Sequence, residues 1–215
     1  MAGLAAALAV AGCGSGARQD AGAPTGTFSV DVAKAAFPAS QTLSEHTKLV
    51  IAVLNRSSRT IPNVAVTICN VSCRYPSPVG EGTSVAAFAQ YLNMPDVASH
   101  SRQVWIVDQP PGGDAYSAQN GGAGGAFTAD ANTWALGALA PGQTATFTWN
   151  LTAVAPGRHV VAWEVAGDLY GRAKAVLASG GGPCGRTPCG AFTVNIARAP
   201  AQSYVNDAGQ IVTTK

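Results

Sequence analysis

The chain has 215 residues, of which 47% are hydrophobic and only 11% are charged, and its formal net charge is +2. This length accommodates one all-β domain behind a leader, and the apolar content excludes a disordered chain. The small net charge, without any run of Lys or Arg, predicts no electrostatic surface for nucleic acid or for an anionic membrane.

The first twelve residues form an apolar stretch that ends directly before Cys13. A transmembrane helix needs roughly 20 apolar residues, whereas a shorter stretch that ends in small residues is typical of a signal peptide. We therefore predict that residues 1–12 are a cleaved leader. Residues 13–26 are small and polar, and we predict that they form a flexible tether.

The tetrad Val10-Ala11-Gly12-Cys13 resembles the lipobox of bacterial lipoproteins. The resemblance implies that the thiol of Cys13 receives diacylglycerol and that a peptidase then removes the leader. It also implies an exported protein that is anchored by this lipid to the outer face of the bacterial cell membrane. Cys13 is the one residue to which we assign a functional role from the sequence.

Short apolar segments with strand periodicity follow the tether. Phe28, Val30 and Val32 alternate with polar residues, which predicts a strand with one buried face. The next segment is apolar on both faces and is typical of a central strand. Segment 84–92 is ambiguous between helix and strand, and we favour a strand. The strands predicted in this half are 27–34, 48–54, 64–68, 84–92 and 103–107.

A long loop rich in glycine and proline is predicted at residues 108–126. Such loops in compact domains are often binding elements. Asp108, Asp114 and Asn120 supply oxygen atoms of the type that calcium prefers. The loop is therefore the place where we expect a ligand, if the domain binds one.

The carboxyl-terminal half has the most regular pattern. Strands are predicted at 144–151, 158–166 and 192–196, and Pro-Gly turns precede the first two. Trp149 and Trp163 fall within these strands, so we expect them in the core. Trp134 follows the long loop, and we expect it to be the most exposed of the four tryptophans, as part of a possible aromatic platform for sugars.

Four further cysteines, Cys69, Cys73, Cys184 and Cys189, are predicted to form disulfides, because an exported protein meets an oxidising environment. Three connectivities exist, and we favour the two local pairs, Cys69 with Cys73 and Cys184 with Cys189. A zinc site with four thiolates is the alternative. The spacings of three and four residues between the paired cysteines are not the usual two, so we favour disulfides.

We find no sequence pattern for an enzyme or a cofactor site. His46, His100 and His159 lie in separate segments, and no spacing between them suits a preformed metal site. The chain has no Gly-x-Ser-x-Gly nucleophile elbow, and its acidic residues are scattered over loops. We predict that the protein is not an enzyme and that it binds no cofactor.

The order of strands and turns resembles the immunoglobulin-like repeats of bacterial cell-surface proteins. The resemblance is carried by a strand that ends at Asn55, by Leu-x-Pro-Gly-x-Thr-Ala-Thr-Phe at 139–147, and by Gly-x-His-Val at 157–160. It covers about residues 27–196. It implies an all-β, antiparallel immunoglobulin-like β-sandwich with long loops, in which residues 27–215 form a single domain.

The predicted function follows from these two resemblances. We expect a non-catalytic, lipid-anchored cell-envelope protein whose domain serves protein interaction, adhesion or structural spacing. The expected partners are the membrane, through Cys13, and an unidentified envelope protein. The alternative is an extracellular ligand-binding sandwich that takes carbohydrate or calcium at loop 108–126.

Overall fold

The computed structural model describes residues 22, 24–69, 86–91, 101–112, 132–169, 171–200 and 202–214. In these ranges all the named secondary-structure elements are β-strands, and no helix long and apolar enough to cross a membrane is found there. The strands are β1 (Gly26–Ala36), β2 (Ser40–Leu43), β3 (His46–Asn55), β4 (Ala65–Cys69), β5 (Ala89–Tyr91), β6 (Ser101–Gln103), β7 (Trp105–Gln109), β8 (Thr133–Ala135), β9 (Thr144–Ala153), β10 (Gly157–Ala166), β11 (Ala173–Leu177), β12 (Cys189–Pro200), β13 (Gln202–Val205) and β14 (Ile211–Thr214).

Ten of these strands form two five-stranded sheets. The first sheet has the order β11-β1-β3-β9-β7, and the second has the order β2-β12-β10-β4-β8. The other four strands form two separate hairpins, β5 with β6 and β13 with β14. The prediction of an all-β, immunoglobulin-like sandwich is confirmed.

The core lies between the two large sheets, and strand periodicity explains which side chains fill it. In β9, Phe147, Trp149 and Leu151 are fully buried, while the polar residues between them, Thr148 and Asn150, face outward. Burial of a side chain of this size contributes about 1.5–3 kcal/mol. The largest fully buried side chains of the described residues are Trp105, Trp134, Trp149, Phe28, Phe88, Phe147, Leu49, Ile51, Ile61, Ile68, Leu136 and Leu139.

The sheets are mixed, so the predicted antiparallel pairing is wrong at two places. β1 pairs in parallel with β11, and β2 pairs in parallel with β12. The cause is that the chain changes sheets. It leaves the first sheet at Ala36, passes Pro38 and joins the second sheet at Ser40. Similarly, β10 of the second sheet leads into β11 of the first. A strand that arrives from the opposite sheet can lie parallel to its new neighbour.

The predicted strand 103–107 is interrupted at Val104. The carbonyl oxygen of Phe88 accepts hydrogen bonds from the backbone N–H groups of Val104 and Trp105, at 2.8 and 3.1 Å. Val104 and Trp105 therefore both lie opposite Phe88, and this pairing of two residues with one is a β-bulge. Phe88 is buried and has a φ of 62°, a left-handed conformation that is unusual for a bulky residue.

The sandwich has two ends that matter for function. At one end, which we call the tether pole, β1 begins at Gly26 and β10 leads through residues 167–172 into β11. At the other end, which we call the hairpin pole, β10 begins and β12 ends, because Gly157 pairs with Ile196 near the end of β12. The predicted tether and the carboxyl-terminal hairpin therefore join opposite ends of the sandwich.

Candidate functional site

The carboxyl-terminal hairpin, β13 with β14, lies outside both large sheets. Its turn is well formed, because Asn206 Oδ1 accepts hydrogen bonds from the N–H groups of Ala208 and Gln210, at 3.1 and 2.9 Å. Gly209 completes the turn with a φ of 76°, a conformation that favours glycine. Ser203 and Thr213 are joined across the strands by their hydroxyl groups at 2.8 Å. These contacts fix the register of the hairpin.

Apolar side chains of this hairpin are exposed to solvent. Tyr204 is 53% exposed, Val205 is 66% exposed and Ile211 is 78% exposed. Cross-strand partners share a face, so Val205 and Ile211 lie on one face while Tyr204 and Val212 lie on the other. Each face of the hairpin thus carries an apolar pair. An isolated two-stranded hairpin is only marginally stable in water, so this element gains stability when a partner covers it.

A polar cluster lies on the outer face of the first sheet near the hairpin pole. The hydroxyl group of Thr152 donates a hydrogen bond to Asp108 Oδ2 at 2.6 Å, and its oxygen lies 2.9 Å from His46 Nδ1. His46 Nδ1 is 3.4 Å from the same carboxylate oxygen. The three side chains come from β3, β7 and β9, so the sheet pairing brings them together. Asp108 lies in a strand, contrary to the prediction that the loop begins there.

The hydrogen bonds of this cluster do not prepare a nucleophile. The hydroxyl proton of Thr152 is given to the carboxylate, so His46 Nδ1 has to be the donor in its contact with the hydroxyl oxygen. In a catalytic triad the imidazole accepts the hydroxyl proton instead. The side chain of His46 is also 82% exposed, so water is not excluded. The cluster therefore functions as a hydrogen-bonding surface and links the edge strand β7 to β3 and β9.

Two shallow depressions flank this cluster. One has a volume of about 350 Å³ and is lined by His46, Thr47, Lys48, Asp108 and Asn150. The other has a volume of about 190 Å³ and lies between the outward threonines of β9 and residues 109–112, which begin the predicted binding loop. Asn150 borders both, and its Oδ1 is buried without a hydrogen-bond partner among the described residues. Its amino group donates to Gln109 Oε1 at 2.7 Å.

The predicted metal and aromatic sites do not form in the described part of the chain. No group of three or more His, Cys, Asp or Glu side chains converges there. Asp114 and Asn120, the other two predicted calcium ligands, lie outside the described residues. Trp134 is only 1% exposed, so the prediction that it is exposed is wrong. It packs edge-on against Trp149 at 5.4 Å, because β8 extends the second sheet and turns this side chain into the core.

The predicted cysteine pair Cys184–Cys189 is confirmed as a disulfide, with Cα atoms 6.0 Å apart. Cys69, at the end of β4, is disulfide-bonded as well. Cys73, its predicted partner, lies outside the described residues, and so does Cys13, the predicted lipidation site. The zinc site with four free thiolates is wrong, because the thiols of Cys184 and Cys189 are bonded to each other.

The hairpin is the candidate site that we did not predict. Its strands are rich in β-branched and aromatic residues, which favour strands, and they flank an Asn-Asp-Ala-Gly turn at 206–209. This signal was present in the sequence. The resemblance to surface repeats covers only residues 27–196, and we predicted no strand beyond that range.

Comparisons with known proteins give remote structural similarities only. No protein-family model matches the chain, and no curated protein matches it. Native alpha-2-macroglobulin from E. coli is similar with 11% identity and a TM-score of 0.39, over 81% of this chain and 7% of that one. A CARDB domain from Pyrococcus furiosus, in complex with di-metal ions, has 10% identity and a TM-score of 0.38, over 79% and 87% of the two chains. Beta-glucosidase from Listeria innocua has 11% identity and a TM-score of 0.33, over 80% and 16%.

The chain therefore spans only a small fraction of the alpha-2-macroglobulin that it resembles. At these TM-scores the similarities carry no functional assignment. The fold assignment rests on the strand order of the chain itself, and the candidate surfaces are the hairpin and the polar cluster.

Proposed function

We propose that the protein is a non-catalytic, lipid-anchored cell-envelope protein whose immunoglobulin-like domain binds a partner protein through the carboxyl-terminal hairpin. The observation that carries this proposal is the exposure of Tyr204, Val205 and Ile211 on a hairpin that lies outside the sandwich. Buried aromatic and aliphatic anchors supply most of the binding energy in protein interfaces. The hairpin presents such anchors on both of its faces.

The position of the hairpin agrees with an anchored arrangement. The predicted tether, 13–26, joins the domain at Gly26, and the hairpin leaves β12 at the opposite pole. A lipid on Cys13 would therefore leave the hairpin on the side of the domain that faces away from the membrane. This arrangement suits adhesion or contact with a second envelope protein, and the sandwich acts as the spacer.

The experiment is site-specific photo-crosslinking in the cell envelope. A photoreactive amino acid replaces Tyr204, and a matched probe replaces Thr193, which is exposed on β12 away from the hairpin. We expect a discrete crosslinked product from the probe at position 204, absent at position 193. The product should weaken when Val205→Ser and Ile211→Ser are added. Equal crosslinking from both positions, or persistence of the product in the double variant, would contradict the proposal.

The second candidate function is the binding of carbohydrate at the polar cluster. It is favoured by the buried, unpartnered Oδ1 of Asn150, which borders both depressions beside the start of the predicted binding loop. Hydroxyl groups of a sugar are suitable donors for such an oxygen. A ligand that binds the folded state raises the melting temperature. We expect such a rise with an envelope oligosaccharide, and its loss in Asn150→Ala. A rise that Asn150→Ala leaves intact would exclude this site.

A further inference from the structure

The large apolar side chains that are exposed among the described residues all belong to the hairpin pole. On the sandwich itself they are Ile106 and Val154, which are 49% and 37% exposed. Ile106 pairs with Thr152 near the end of β9, and Val154 begins the turn into β10. The carboxyl-terminal hairpin, which carries the others, leaves β12 at this same pole. One end of the domain thus concentrates the exposed apolar surface.

The sandwich does not cover its own hairpin. The last pair between β10 and β12 is Gly157 with Ile196, so residues 197–200 continue past the end of β10. They carry β13 and β14 away from the core. These two strands pair with each other and with no other described strand. Both outer edges of the hairpin therefore present backbone N–H and C=O groups that a further strand can pair with.

The composition of the hairpin suits pairing with an identical hairpin. Its strands, Gln202–Val205 and Ile211–Thr214, contain no charged residue and no proline, the two features that protect an edge strand from pairing. Three or more strands are needed for independent stability in water, and one hairpin supplies only two. Two hairpins aligned antiparallel around a two-fold axis form a four-stranded sheet. Apolar side chains of one hairpin then lie beside those of the other.

Charged groups at the two ends of the hairpin are complementary between copies. Asp207 is exposed in the turn, and Arg158 and Arg198 are exposed near the start of β10 and the end of β12. None of the three has an ion-pair partner among the described residues. Antiparallel alignment places the turn of each hairpin beside the hairpin pole of the other copy. The carboxylate of one copy then approaches the guanidinium groups of the other, at two equivalent places.

The carboxylates of the hairpin pole itself do not pair with these arginines. Glu45 Oε2 accepts hydrogen bonds from the N–H and the hydroxyl of Thr42, at 2.8 and 3.0 Å. Asp108 Oδ2 accepts from the hydroxyl of Thr152 at 2.6 Å. Neither carboxylate lies within ion-pair distance of either arginine. A carboxylate from a second copy therefore reaches the guanidinium groups without displacing an existing ion pair.

We infer that the partner of the hairpin is a second copy of this chain, and that the two hairpins pair antiparallel, each with its turn against the hairpin pole of the other copy. This inference rests on the proposed function, because it names the partner of the same site. The contact is isologous, so it uses both hairpins and closes as a dimer. The predicted tethers leave such a dimer at its two outer ends, which suits adhesion between copies that are anchored in facing membranes.

The test is native mass spectrometry of the full chain, released from a non-ionic detergent and measured over a range of concentrations. We expect the wild-type chain to form a dimer. Val205→Ser with Ile211→Ser should weaken the dimer at least about tenfold, because each substitution removes apolar area from both hairpins. This variant also controls for chains that only share a micelle, since its lipid is unchanged.

Charge reversal followed by mixing identifies the two sides of the contact. Asp207→Arg brings like charges together at both places in the dimer, and so does Arg158→Asp with Arg198→Asp. Each variant alone should weaken the dimer about tenfold. A mixture of the two should form a mixed dimer, resolved by its mass, because opposite charges meet again at both places. The matched control, Lys174→Asp with Arg186→Asp, reverses two exposed cations away from this pole and should leave the dimer unchanged.

The outcomes separate this inference from the proposed function. A wild-type chain that stays monomeric, or a mixture of the two reversed variants that stays monomeric, would overturn the second copy as the partner. A crosslinked product from the probe at position 204 that contains a different protein would also overturn it, and would leave the proposed function intact. A dimer that persists in Val205→Ser with Ile211→Ser would place the contact elsewhere on the chain and overturn the inference.

Discussion

Asn55 joins the end of β3 to the turn before β9, and its removal should destabilise the domain. The residue is fully buried, and its side-chain amino group donates hydrogen bonds to the carbonyls of Arg59 and Leu139, at 2.9 and 2.8 Å. Its Oδ1 accepts from the N–H and the hydroxyl of Ser57, at 2.9 and 2.6 Å. All four hydrogen bonds that this amide can form are therefore made.

We expect Asn55→Ala to lower the free energy of unfolding by about 3 kcal/mol, since four hydrogen bonds of about 1 kcal/mol each are lost. The loss is less than the full sum because the carbonyl of Leu139 keeps a second donor, the N–H of Ile61. This corresponds to a fall in melting temperature of about 6–12 °C for a domain of this size. Asn55→Asp should be worse, because a carboxylate cannot donate to two carbonyls.

The assay is urea denaturation followed by tryptophan fluorescence, with Asn195→Ala as the control. Asn195 is exposed on β12, so its substitution should change stability by less than about 0.5 kcal/mol. The unfolding midpoint should shift for the Asn55 variants without a change in slope. A loss below about 1 kcal/mol for Asn55→Ala would refute the role that we assign to this amide.

Three other substitutions test the packing of the second sheet and its loops. Gly190→Ala should cost about 1–3 kcal/mol in urea denaturation, because a Cβ there would lie 2.6 Å from the ring of Trp163; a neutral result would contradict the packing. Replacement of Cys184 and Cys189 by Ser should cost about 2 kcal/mol in thermal unfolding, as the bridge closes a short loop, and reductant should then have no further effect at this loop. Asp168→Ala should cost about 2 kcal/mol, since it removes the acceptor of backbone N–H groups at 3.0 and 2.8 Å; retained stability in the same thermal assay would show that water replaces the carboxylate.

Strand periodicity predicted most of the core. The alternation in β9 placed Trp149 correctly, because a strand with one buried face leaves little freedom in which residues point inward. The same rule applied to β1, where Phe28 and Val30 are buried. The position of Trp134 was predicted wrongly because we judged it by the loop that precedes it. Its three-residue strand is too short to show a period.

The parallel pairings and the candidate surfaces could not be predicted from local patterns. The change of sheet between Ala36 and Ser40 depends on where the second sheet has room for an edge strand, and no periodic signal marks such a position. The polar cluster and the depressions beside it join residues from three strands, and His46 and Thr152 are 106 positions apart in the sequence. These sites follow from the tertiary fold, whereas sequence patterns describe neighbours along the chain. The hairpin is the exception, since its turn and the strand-favouring residues on either side of it were visible in the sequence.

The measurement that tests the central claim most directly is the intact mass of the protein expressed in a bacterial host, with and without reductant. The account predicts cleavage before Cys13 together with the added mass of a diacylglyceryl group. It also predicts a gain of four hydrogens on reduction, from the disulfides at Cys69 and at Cys184–Cys189. An uncleaved chain without added lipid would contradict the proposal of a lipid-anchored envelope protein.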